Sequence, residues 1–258
     1  MTRPLALVAQ AVEGSYAIVR QQLKATQAFV AERHGLREKP LELMDLSWDV
    51  RHIILKHLIG SRNIRVFGRS AISIRLPGAA RAGNIQLRRE CLLVTLNGCT
   101  IESHSGPSNA ALRAWLSRID LTGVESSCET GYDAIKSLHF PYFSRFPYHD
   151  ASITKNNDIV LALACTNLRV LTLNFHPEEL RKVSYRHLGA ETELAVDCAL
   201  DIRQSYQLDG LLGATKLEKL QFVSWGSSDN ELIGLTEVVA WLDKGFKERG
   251  QRVVVRIN

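Results

Sequence analysis

Leu168-Arg-Val-Leu-Thr-Leu-Asn-Phe175 is a run in which apolar and β-branched side chains recur so densely that both faces read as covered, the mark of an inner strand. Three further runs echo it: residues 135–140 with Ile135, Leu138 and Phe140 apolar, residues 217–222, and the valine-rich residues 252–257. Amphipathic segments long enough for helices lie between them. Strands alternating with helices predict a mainly parallel sheet, because a tight turn cannot join two parallel strands. The fold class read from the sequence is therefore α/β (or α+β), with a helical N-terminal part and a β-hairpin ahead of the strand and helix units.

Leu168-x-x-Leu171-x-Leu173-Asn174 has the form of a leucine-rich-repeat core, and Leu217-x-x-Leu220-x-Phe222 is similar. Taking Leu138, Leu171 and Leu220 as equivalent, the spacings are too long and too irregular for a standard array. A degenerate version of few turns and an ordinary α/β sheet both fit. Helices are expected at residues 159–165, begun by Asn157 or Asp158, and at 190–206, with Leu194, Cys198 and Ile202 on one side. A third, capped by Ser228 or Asp229, turns Leu232, Leu235, Val238, Val239, Leu242 and Phe246 inward and stops at Gly250.

Upstream, residues 4–33 read as one long helix with Pro4 in its first turn and Gly35 as its stop. After a polar linker, residues 43–59 form an amphipathic helix for which Ser47 is a good N-cap and Asp49 suits the positive helix end. Residues 64–67 and 72–75 are short strand candidates, and Pro77 opens a helix. Residues 92–96 and 100–103 read as a hairpin about Asn97-Gly98, a pair suited to a turn with two positive φ angles. Leu112, Trp115, Leu116 and Ile119 then mark an apolar helix face, and Ser108 reads as its plain cap. The best internal break is residues 121–130, which divides the chain into an N-terminal helix (1–36), a middle region (41–123) and a strand and helix region (124–258).

Residues 43–59 carry an apolar pair, a capped turn, an acid, Val50-Arg51, and then Ile and Leu at helical spacing; a helix carrying Gln86-Leu-Arg-Arg-Glu90 follows and runs into two short strands. In this the sequence resembles the fungal F-box-like proteins, with Ser47 standing where proline is usual and no Val-Cys-x-x-Trp at the end of the helix. The resemblance implies an interaction protein that docks a Skp1-type adaptor of a ubiquitin ligase while the C-terminal sheet and the aromatic loop select a target. Leu43, Leu46, Val50, Ile54 and Leu58 would then form the adaptor face. The alternative is a helix buried in this protein's own core, and solvent exposure of those residues separates the two.

Phe140-Pro-Tyr-Phe-Ser-Arg-Phe-Pro-Tyr148 holds five aromatic residues and follows a predicted strand, at the end where α/β sheets carry their sites. Phe140, Tyr142, Phe143, Arg145, Phe146 and Tyr148 read either as a partner-recognition loop or as a proline-stiffened loop folding its rings over the sheet edge. Between residues 51 and 89 there are nine basic residues and no acidic one, although the whole chain is only +5. Arg62, Arg65, Arg69, Arg75, Arg81, Arg88 and Arg89 are therefore candidates for binding nucleic acid or another polyanion.

The five scattered cysteines read as reduced thiols of an intracellular protein, cytoplasmic or nuclear. No signal peptide or membrane span is expected. His52 and His57 lie on different helix faces without a glutamate between them, so no metal is expected there. Neither Gly-x-Ser-x-Gly nor a phosphate loop is present, and no cofactor is expected. Glu193, Asp197 and Asp201 read as a solvated acidic helix stripe.

Overall fold

Six strands form one all-parallel sheet: β1 (Asn63–Val66), β2 (Thr100–Ser103), β3 (Ser137–Phe140), β4 (Val170–Phe175), β7 (Lys219–Ser224) and β8 (Val254–Ile257). They lie side by side in the order β1-β2-β3-β4-β7-β8, without reversal. The chain is seen in a computed structural model that describes residues 21, 42–60, 63–66, 84–104, 106–124, 127–143, 155–176, 180–184, 193–196, 198–224 and 229–258. The helix expected at 4–33 and the strand at 72–75 lie outside these residues, Gln21 excepted, and so does the start of the helix opened by Pro77, whose Gln86–Glu90 part is described and helical.

Parallel connections are right-handed as a rule, so a sheet built in sequence order carries all its crossovers on one side. Burial follows that rule. In β4, Leu171, Leu173 and Phe175 are fully covered, whereas Val170, Thr172 and Asn174 between them are half-exposed. The expectation that both faces are covered is corrected: the strand alternates, and its apolar content had hidden the alternation. Leu138, Leu171 and Leu220 are direct register partners in one buried row with Ile101. Burying each such leucine contributes about 1.5–3 kcal/mol.

The covering layer consists of α3 (Gly106–Leu116), α5 (Asn157–Ala164), a 3-10 turn at Leu208–Gly213, α6 (Ala199–Tyr206) and α7 (Asp229–Glu248), each touching the next. In α7, Leu235, Val238, Leu242 and Phe246 face the core, and Gly250 ends the helix at φ +71. Asn156, one residue before the expected caps, accepts from the backbone of Asp158 and Ile159 to start α5. Buried polar groups tie three elements together: Ser103 Oγ donates to Asn109 Oδ1, and Asn109 Nδ2 donates to Asp158 Oδ1.

The expected hairpin about Asn97-Gly98 is overturned. Residues 85–98 form one helix, α2 (Ile85–Gly98), and β2 pairs in parallel with β1 and β3. Leu93 and Leu96 face the main core while Leu87, Cys91 and Val94 face a second, smaller one, so the helix is apolar on two sides and loses its periodic signature. Neither Asn97 nor Gly98 has a positive φ; the pair ends a helix. The helix begun near Ser108 starts at Gly106 instead, placing Ser108 in its first turn.

A second correction concerns residues 190–206. Residues 193–196 are β6 (Glu193–Val196), antiparallel to β5 (Arg181–Ser184), and among the described residues of this span Ala199–Tyr206 is helical. Glu193 and Asp201 therefore do not share a helical stripe. This inserted pair accounts for the long spacing between β4 and β7. Across residue 124 the sheet is continuous through the β2–β3 pairing, with α4 (Gly131–Ala134) leading into β3.

The smaller core holds α1 (Trp48–Ile59) against α2 through Leu55, Ile59, Leu87, Cys91 and Val94, with Leu43 and Met44 at its margin. The Arg51 guanidinium donates from Nε and Nη2 to the fully buried Glu90 carboxylate at 2.9 and 2.8 Å. Gln86 Nε2 also donates to Glu90, at 3.0 Å. The Val-Arg and Gln-x-x-x-Glu elements noted in the sequence thus meet in space.

Candidate functional site

On the sheet face away from the fully covered rows, Arg65, Glu102, His139, Thr172, Gln221 and Arg256 lie in register across all six strands. Glu102 is the centre of this row. Its Oε2 accepts from Arg65 Nε at 2.8 Å, and its Oε1 lies 3.5 Å from His139 Nδ1. His104 Nε2, one residue past the end of β2, lies 3.9 Å from Glu102 Oε2. The other ring nitrogen of His139 is 3.1 Å from Asn174 Oδ1. Burial pushes the His104 imidazole below its ordinary value, with Arg65 and His139 adding to the effect and Glu102 opposing it.

Just beyond the strand ends, Tyr142 stacks flat on His176 with ring centroids 5.1 Å apart, and His104 lies 5.7 Å from the same tyrosine. The tyrosine is 52% exposed. The outcome is a half-open polar surface with a buried carboxylate at its centre, three imidazoles and an exposed phenol. Such groups hold a partner by directional hydrogen bonds and ring contact, as interface cores do. No group of three or more His, Cys, Asp or Glu side chains is placed to hold a metal ion among the described residues.

The aromatic loop is divided by the fold. Phe140 and Phe143 are core residues, and Phe143 stacks on Tyr206 and meets Phe175 edge-on. Expecting those two at a partner surface was wrong: the strand's alternation carries Phe140 inward, and the turn returns Phe143 to the same core. Tyr142, between them, faces out. Arg145, Phe146 and Tyr148 lie outside the described residues.

The adaptor face is redistributed as well. The packed stripe of α1 is Arg51, Leu55 and Ile59; Val50 is 44% and Ile53 56% exposed, while Leu46, Ile54 and Leu58 are half-buried. Leu43 leans on the smaller core instead of joining an outer face. Helical spacing puts Val50, Ile53, Ile54 and His57 on one side, opposite the packed stripe.

The basic segment is not one uncompensated surface among the described residues. Arg51 pairs with Glu90, Arg65 with Glu102 and Arg89 with Asp120, each acid coming from outside the segment. Arg88 is exposed, and Arg62, Arg69, Arg75 and Arg81 lie outside the described residues.

Glu102, His104, His139, Asn174 and His176 were not singled out from the sequence. The available signal was a polar residue at every second position inside apolar runs, as in Thr-Ile-Glu-Ser-His and Leu-Thr-Leu-Asn-Phe-His. Comparison of the chain with protein-family models, with curated proteins and with solved structures returns no match in any of the three. No described helix is long and apolar enough to cross a membrane.

Proposed function

We propose that this chain is a protein–protein interaction module whose half-open sheet face receives a target segment. The observation that carries the reading is the in-register polar row from Arg65 to Arg256 on the less covered side of a sheet whose strands never reverse order. Hydrogen-bonding groups spaced at strand intervals match a partner lying across the strands. The exposed Val50 and Ile53 on α1 support a second contact, with a Skp1-type adaptor, as the F-box resemblance implies. Such an arrangement joins an adaptor to a target through one chain.

The adaptor contact is tested by calorimetric titration of the full chain with a purified Skp1-type adaptor. Binding that is lost in Val50→Glu and Ile53→Glu supports it, and no binding by the unaltered chain removes it. For the sheet face, a photo-crosslinking residue at Thr172 or Gln221 captures the target. Capture that persists unchanged in His139→Asp and Tyr142→Ala sinks the assignment of that face.

A further inference from the structure

At the opposite end of the sheet, below the N-terminal ends of β3, β4 and β7, lies a cleft of about 610 Å³ whose lining includes Asn97, Lys136, Asn167, Arg169, Lys216 and Glu218. Its volume suits a small molecule. The residues reach it through strand register. The backbone N–H groups of Arg169 and Val170 both donate to Lys136 O at 2.9 Å, and those of Glu218 and Lys219 donate to Arg169 O at 2.8 and 2.9 Å. Lys136, Arg169 and Glu218 each stand immediately before one of three neighbouring strands, about one strand spacing apart.

Three cations meet one carboxylate here, and that carboxylate is already engaged: Arg169 Nη1 donates to Glu218 Oε1 at 3.0 Å. Lys216 is held in place. Its Nζ donates to Asn167 Oδ1 at 2.6 Å, while Asn167 Nδ2 donates to Asp133 O at 2.7 Å. On the remaining wall, Asn97 Oδ1 is buried and has no hydrogen-bond partner among the described residues. A buried acceptor left unmatched is costly, and a ligand hydroxyl would satisfy it.

We propose that this cleft binds a small phosphomonoester bearing a hydroxyl group. Lys136, Lys216 and Arg169 receive the phosphate oxygens, and Asn97 Oδ1 accepts from the hydroxyl. Ammonium groups act on phosphate as point charges and the guanidinium adds directional donors. A half-open cleft of this size with a carboxylate on its rim favours a compact anion over a nucleic-acid backbone, which would need an extended basic track. The assignment does not depend on the interaction reading, since it uses the other end of the sheet.

The experiment is an NMR titration of the full chain with glycerol 3-phosphate, with inorganic phosphate and with glycerol as the uncharged control. Saturable shifts confined to Asn97, Lys136, Asn167 and Lys216 are expected with glycerol 3-phosphate, and none with glycerol. Lys136→Gln weakens both anions by about tenfold, the effect of one charge-assisted hydrogen bond. Asn97→Ala abolishes the preference for glycerol 3-phosphate over inorganic phosphate and leaves phosphate affinity unchanged. Lys216→Gln, at an exposed position, supplies the same readout if Lys136→Gln lowers the melting temperature. Shifts that fail to saturate, shifts spread over the basic surface, or affinity unchanged in both lysine variants overturn the proposal. A phosphoserine peptide binding more than about tenfold tighter than phosphoserine itself overturns it too, since the ligand is then a protein segment.

Discussion

Arg51 and Glu90, separated by 39 residues, form a two-pronged ion pair at 2.9 and 2.8 Å in which the carboxylate has no solvent exposure and the arginine side chain 12%. The pair fastens α1 to α2. The remaining capacity of the guanidinium goes to the carbonyl oxygens of Met44 and Leu46, so the turn before α1 is held by the same side chain.

Removing one member of a buried pair strands the other, at a cost of about 3–5 kcal/mol. Glu90→Ala is therefore expected to lower the melting temperature by roughly 6–20 °C. Arg51→Met with Glu90→Leu, which removes both charges, should recover most of that loss. Equal destabilisation by the single and double variants in chemical denaturation would refute the pair's isolation from water.

Phe143 of the aromatic loop packs on Phe175 while its neighbour Tyr142 faces out, so stability and recognition are carried by different rings. Phe175 meets Phe143 at 5.3 Å, Tyr206 at 4.9 Å and Phe222 at 5.4 Å, all in the core. Phe175→Ala should cost about 3–5 kcal/mol by urea unfolding. Tyr142→Ala, at an exposed ring, should change stability by only about 0.5 kcal/mol. A Tyr142 variant as unstable as the Phe175 one would place the tyrosine in the core and count against a recognition role.

Asp133 closes the capping box of α4, accepting from Thr130 N–H at 2.9 Å, Thr130 Oγ1 at 2.7 Å and Thr166 Oγ1 at 2.6 Å. Burial alone would raise its pKa, but these hydrogen bonds outweigh it and hold the carboxyl below its ordinary 3.8. A depressed carboxyl stabilises the fold above the unfolded value, and that contribution is lost as pH falls from 3.8 through the folded value. The stability gap between the unaltered chain and Asp133→Asn should be full near pH 6 and close below pH 3.8. A gap constant from pH 6 downward would rule the linkage out.

Thiol reactivity should be sharply graded. Burial, aided by the Glu90 charge, pushes Cys91 up to about 11; burial, aided by Asp133, pushes Cys165 up to about 12. Cys99 and Cys128 are also buried, and Cys198 at the start of α6 is exposed. Since the thiolate is the reactive form, a disulfide reagent at pH 8 should label one thiol fast in the folded chain and all five in denaturant. Cys198→Ser should abolish the fast phase, and its survival would show a second accessible cysteine.

The C-terminal strands were legible because each is a short apolar run between amphipathic helices, and the leucines taken as equivalent, Leu138, Leu171 and Leu220, are register partners. The second half of helix α2, past the Gln86–Glu90 part expected to be helical, was not legible. A helix covered on two sides has apolar residues at Leu87, Cys91, Leu93, Val94 and Leu96, which blur the 3.6-residue period and imitate a strand. The open-face residues Glu102, His139 and Asn174 were passed over for a related reason: dense leucine and valine suggested two covered faces.

What the sequence determined by itself was the class of fold and the direction of its sheet, since both follow from local periodicity and from the length that a parallel crossover needs. Which face stays open, which of Tyr142 and Phe143 meets solvent, and the meeting of Arg51 with Glu90 were decided only in three dimensions. Those outcomes depend on pairings between residues tens of positions apart, and local pattern carries no information about which distant side chain will remove a given group from water.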